Sequence, residues 1–122
     1  MKPAPKRPVN ASVTISVIEV VGNSSCVAAE DGQRLHDQIA AVLRAGRRVE
    51  LSFANVGSLV MAFLNVAIGQ LYGEFGEGVL RANLRATNIS PDDSAKIRLV
   101  VQTAKHYFAN RKTATAGADA LN

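Results

Sequence analysis

A single cysteine, Cys26, stands in a chain of 122 residues that also has only two histidines. One thiol excludes an internal disulfide, and the distant histidines, His36 and His106, offer no metal-ligand spacing. Long apolar runs are also missing. The most apolar stretch, "NVGSLVMAFLNVAIGQLYGEF" (55–75), is broken by polar residues before it reaches the roughly 18 apolar residues of a membrane-spanning helix. The basic start "MKPAPKRPVNAS" is not followed by an apolar h-region, so no signal peptide is expected. These absences point to a cytoplasmic protein with no membrane partner. No carboxylate pair and no nucleophile with an adjacent base can be assembled. The glycine-rich "GEFGEG" (73–78) follows a helix pattern and precedes a strand pattern, the reverse of a phosphate-cradling loop. A C-cap and turn suffice for it. No enzyme, cofactor or metal is expected.

The body also lacks an excess of either charge. The formal net charge is +4. Residues 1–10 and 110–122 hold five basic residues and one acid, whereas residues 11–109 hold nine of each. A phosphate-binding fold concentrates Lys and Arg on one face. Here the excess sits in Pro-, Ala-, Thr- and Gly-rich ends, which read as disordered tails over residues 1–11 and 110–122. Nucleic acid is therefore the less favoured partner; it would use the tails together with Arg48, Arg81 and Arg85.

What is present is one domain's worth of chain, 48% hydrophobic and large enough to bury a core. "SVTISVIEVV" (12–21) reads as a first strand, and "SSCVA" as a possible short second one. "EDGQRLHDQIAAVLRAG" spaces Leu35, Ile39, Val42 and Leu43 as a helix, with acids at its start and Arg44 and Gly46 at its end. "RRVELSF" (47–53) is a strand. Phe63, Leu64, Ala67, Ile68, Leu71, Tyr72 and Phe75 then form a helical stripe. "VLRANLRAT" (79–87) reads as a third main strand. The last helix begins with Ser90 as N-cap, Pro91 at its first position and acids in its first turn, and its stripe is Ile97, Val100, Val101, Ala104 and Phe108.

A parallel sheet covered on both faces reads as continuous apolar runs. These strands alternate. Val49, Leu51 and Phe53 oppose Arg48, Glu50 and Ser52; Leu80, Ala82, Leu84 and Ala86 oppose Arg81, Asn83 and Arg85; and Val13, Ile15 and Val17 oppose Thr14 and Ser16. The pattern predicts an α/β two-layer sandwich, a mixed or mostly parallel sheet with about three helices packed on one face and a polar opposite face.

"GRRVELSFANV", "AFLNVAIGQLYGEFG" and "TNISPDDSAKIRLVVQTAKHYF" together resemble the STAS-like family of small bacterial domains. These are remote relatives of the domain shared by sulfate transporters and anti-sigma factor antagonists. The resemblance covers about residues 12–109, and the "FLN..IGQLY" helix is its most specific part. It implies a sheet with helices on one face and a non-catalytic interaction module, often encoded or fused near histidine-kinase-like ATPases. The implied partner is another protein, such as a kinase-like ATPase or a second copy in a homodimer.

In the antagonist relatives the turn after the third strand carries an Asp-Ser-Ser-Gly motif whose serine is phosphorylated to switch binding off. The equivalent positions here are Val60, Met61, Ala62 and Phe63, none of which can accept phosphate. Ser58 lies two residues early and reads as the N-cap of the apolar helix, with phosphorylation as the alternative. Leu59, Val60 and Met61, at that helix start, are candidates for a partner contact, as are Asn65 and the sheet-face arginines Arg48, Arg81 and Arg85. Asn65 is expected to be buried with a satisfied partner, though it could instead support a partner helix or reach the surface. His36 and His106 are expected on the polar sides of their helices.

Overall fold

The computed structural model describes residues 12–121, with side chains as far as Ala109. The expected N-terminal tail, 1–11, lies outside the described residues. The order is β1 (Ser12–Ser16), α1 (Val17–Val21), β2 (Ser25–Cys26), α2 (Ala29–Arg44), β3 (Arg48–Ser52), β4 (Ser58–Leu59) and α3 (Met61–Leu64). A π turn, Asn65–Gly69, leads into α4 (Leu71–Glu74), followed by α5 (Glu77–Asn83), β5 (Leu84–Thr87) and α6 (Pro91–Leu121). The α6 backbone thus runs helical into 110–121, where a disordered tail was expected. Those residues include several good helix formers and no proline to stop the helix.

The main sheet is parallel, in the order β1-β3-β5. A strand order that advances in one direction, joined by crossovers of one hand, puts every connection on the same face. The register agrees with one buried face. Ile15 pairs Leu51 and Val49 pairs Leu84 on the core side, while Thr14, Glu50 and Arg85 form one cross-strand row on the other side. Ile15, Val49 and Leu51 join Leu35, Ile39, Phe63, Leu64 and Val100 in one core. The expected two-layer α/β architecture is the one observed, with the main sheet wholly parallel.

Two stretches expected as strand are helical. After Ser16 the chain turns into α1, which buries Val17 and Val21 one helical turn apart. It ends at Gly22, whose φ of 92° closes a bond from its N–H to Ile18 O. Burial at i and i+4 overrides the strand preference of the four β-branched residues in this segment. Likewise 77–83 forms α5, with an Arg81–Glu77 ion pair at 2.6 Å and Asn83 Nδ2 donating to Val79 O. Only Leu84–Thr87 is strand, paired with Val49–Ser52 of β3.

Two glycines mark the closest helix contacts. A Cβ on Gly32 would lie 2.8 Å from Phe63 O, so α2 packs backbone to backbone against α3. A Cβ on Gly73 would lie 2.5 Å from the Phe108 ring, which α6 lays against α4.

Candidate protein-interaction site

Just past the carboxyl ends of β1 and β3, the two connections meet as a second, two-stranded parallel sheet, β2 beside β4. Ser25 pairs Ser58 and Cys26 pairs Leu59. Backbone bonds from Gly57 N and Ser58 N to Ser24 O, and from Val60 N to Cys26 O, set the strands side by side. Asn23 Oδ1 accepts from Ser25 N and shapes the turn that delivers β2. Strand alternation sends Cys26 and Leu59 inward and the next residues outward. Leu59 is 3% exposed, whereas Val27 is 50%, Val60 37% and Met61 37% exposed. The result is an apolar ledge at the start of α3. Lys96, reaching from α6, pins it by donating to Leu59 O at 2.8 Å while facing Asp93.

Val60 and Met61 therefore occupy the surface foreseen for them, and Leu59 does not: it is an anchor for the ledge, because its strand partner Cys26 is also turned into the core. Ser58 is not the helix cap. It lies in β4, and α3 begins at Met61 with Val60 at the cap position and no side-chain cap bond. Leu59 and Val60 stand between Ser58 and the first residue of α3, Met61. Asn65 is exposed rather than buried, because it falls outside the stripe of Phe63, Leu64, Ala67, Ile68 and Leu71, all of which are buried. Val27 was missed, although alternation through "SSCVA" places it opposite the buried Cys26.

The three arginines do not form one surface. Arg48 is exposed at the start of β3, and Arg85 is exposed on β5 in register with Glu50. Arg81 sits on α5, paired with Glu77, since that stretch is helical. The sheet face is thus mixed in charge, with Glu50 between Thr14 and Arg85.

His36 is not on a polar side. It is 5% exposed, with Nε2 2.9 Å from Glu74 Oε2 and Nδ1 3.2 Å from Gln33 Nε2 and 3.0 Å from Asp37 Oδ1. Glu74 also meets Arg44, so the cluster ties α2 to α4. The bond from His36, then that from Gln33, holds the Asp37 carboxyl below its ordinary range. His106 is exposed on α6, as expected.

Cys26 carries no reactive signature. Burial, then the nearby Asp31 and Asp93 charges, push its thiol up and keep it protonated. Among the described residues no group of three or more His, Cys, Asp or Glu side chains could hold a metal ion, and no helix is long and apolar enough to cross a membrane.

The family model described as "STAS-like domain of unknown function" matches residues 31–94, from α2 through β3, β4, Val60 and Met61 of the ledge, and β5 into the first turn of α6. Neither a curated protein nor a solved structure matches the chain. With more than half of its length matched, and the parallel sheet and one-sided helices in place, the chain belongs to the family of STAS-like domains of unknown function.

Proposed function

We propose that this chain is a non-catalytic regulatory domain that binds another protein through the ledge of Val27, Val60 and Met61. The supporting observation is that three exposed apolar residues follow the paired Cys26 and Leu59 at the end of the β2–β4 pair, Val27 on one side and Val60 and Met61 on the other, with exposed Asn23, Ser25 and Ser58 preceding them. Single exposed apolar residues are ordinary, but a contiguous apolar centre with a polar rim is the composition of a protein interface. Resemblance to the antagonist domains supports a partner-switching role, with a histidine-kinase-like ATPase as the partner class. Phosphorylation at the helix start would not be the switch, since Val60, Met61, Ala62 and Phe63 stand at the motif positions. A switch in this chain would act through what covers the ledge.

The test is affinity capture from the native cell with wild type and with Val60→Asp/Met61→Asp, each quantified by mass spectrometry. A partner retained by wild type and lost by the double variant supports the reading, provided the variant melts like wild type. Identical capture by both overturns it. Light scattering of the same pair identifies the homodimer outcome, in which wild type associates with itself and the variant stays monomeric.

A further inference from the structure

A separate cavity of about 300 Å³ opens between α5, β5, α4 and α6. Its floor is apolar, formed by Leu51, Ile68, Leu80, Leu84, Ile97 and Val101. Tyr72, Glu77, Arg81 and Lys105 add polar groups to its walls. Arg85 also lines it, but its strand position points the side chain opposite to Leu84 and Ala86. The charge at the mouth therefore comes from α5 and α6.

That charge has an uneven arrangement. A single oxygen, Glu77 Oε2, receives both Arg81 Nη2 at 2.6 Å and Lys105 Nζ at 2.8 Å. The bond from Lys105 is the main reason the Glu77 carboxyl is held below its ordinary range, so it stays ionised at neutral pH. One carboxylate against two cations leaves an excess positive charge, and guanidinium and ammonium groups have further N–H donors to offer. Between the mouth and the floor, the Tyr72 hydroxyl makes no hydrogen bond among the described residues. Burial pushes its phenol up, leaving it a proton donor. Apolar walls with a few convergent donors are the composition of a ligand site, and the volume falls at the small end of the usual range of about 300–1,000 Å³.

We propose that this cavity binds a small organic acid, its apolar body against Leu80, Leu84 and Val101 and its carboxylate at the mouth with Lys105, Arg81 and the Tyr72 hydroxyl. A neutral ligand would leave those donors unused, and a cation would oppose the excess charge. A bare inorganic anion would leave the apolar floor uncovered. This site is distinct from the ledge and does not depend on it.

Titration calorimetry with octanoate, 1-octanol, octylammonium and acetate tests it, alongside amide chemical-shift mapping of the octanoate complex. Octanoate is expected to bind with shifts around Tyr72 and Val101, acetate not to bind, and 1-octanol to bind about tenfold or more weakly for want of the charge-assisted bonds. Octylammonium should be weaker still. Arg81→Gln/Lys105→Gln should weaken octanoate by about tenfold and leave 1-octanol unchanged; because Arg81 is largely exposed and Lys105 half-exposed, their ion pairs contribute little and its melting temperature should stay near wild type. Ala86→Phe, at an exposed position on the cavity wall, should block octanoate in a folded protein. Equal binding of octanoate and 1-octanol, octanoate binding that survives Ala86→Phe, or no octanoate binding at millimolar concentration each overturns the assignment. Val60→Asp/Met61→Asp should bind octanoate like wild type.

Discussion

Replacing Gly32 with alanine sets two effects of opposite sign against each other. In a solvent-facing helix the change would add stability, because alanine is favoured over glycine by about 1 kcal/mol in a helix interior. Gly32 is instead buried, and its added methyl would sit 2.8 Å from Phe63 O, 3.1 Å from Val66 Cβ and 3.4 Å from Val66 Cγ1. The nearest of these atoms is a backbone carbonyl in α3, so no side-chain rotation relieves the overlap. Shifting α2 is blocked by Leu35 and Ile39, both fully buried, and shifting α3 would pull Phe63 and Leu64 from the core. Overpacking costs about 1–3 kcal/mol, and an overlap with a backbone oxygen that cannot rotate away belongs to the upper part of that range, about 2–3 kcal/mol, so the net change should be a loss of about 1–2 kcal/mol after the propensity gain. In a domain of this size that lowers the melting temperature by about 4 °C or more. The control is Gly78→Ala in α5, where an added methyl meets nothing within 4 Å and no loss is expected. Thermal and urea unfolding followed by circular dichroism measures both variants. A Gly32→Ala protein that melts at or above wild type would refute the backbone-to-backbone packing of α2 on α3.

Ser90→Ala should cost about 0.5–2 kcal/mol, because Ser90 Oγ accepts from Asp93 N at the start of α6. Ser58→Ala should be near neutral, and a comparable loss there in urea unfolding would contradict the β4 placement. The Asp37 carboxyl titrates below its ordinary value of about 3.9 because the folded state favours its ionised form. Its contribution is therefore present above that value and lost as pH falls through the lower folded one. Asp37→Asn should flatten the fall in melting temperature over that acid range and leave the slope near neutrality unchanged; equal acid sensitivity in both proteins would remove His36 and Gln33 as its stabilising partners.

The architecture was legible because it rests on period-two alternation, which survives in β1 and β3 and implies a one-sided sheet. The last helix start was legible for a similar reason: Ser90, Pro91 and the first-turn acids act locally, and the cap bond from Asp93 N forms within three residues. The misread segments are those settled by distant partners. "VIEVV" has strand propensity, but only the folded core shows that Val17 and Val21 must both point inward. "GVLRAN" alternates like a strand, yet the β3–β5 pairing starts only at Val49 and Leu84, and the residues before it close as α5. His36 looked solvated because a histidine by itself gives no signal of burial, and Glu74, 38 residues away, supplies the ring's long-range bond. The candidate site was half legible. Val60 and Met61 stand out as apolar residues at a helix start, but Ser58 resembled a cap because a two-residue strand has no period to detect.

The position of the ledge follows from the topology itself. In a parallel sheet every connection leaves from a carboxyl end, and in open α/β sheets ligands are commonly met just outside those ends. Here β1 and β3 are neighbours, so the segments leaving them emerge side by side and can pair with one another as β2 and β4. The pairing fixes direction as well as place: once Cys26 and Leu59 turn into the core, Val27 and Val60 must turn out, whatever their hydrophobicity. Lys96 then satisfies the Leu59 carbonyl from α6, so the ledge is supported from the sheet side and the helix side at once. A surface built this way presents its apolar groups without having to order a loop on binding, and so avoids an entropic cost that flexible sites bear. On the function proposed above, a start of α3 held by backbone pairing and a lysine clamp would leave access to Val27, Val60 and Met61 to competition between partners, without a charge placed at the helix N-terminus.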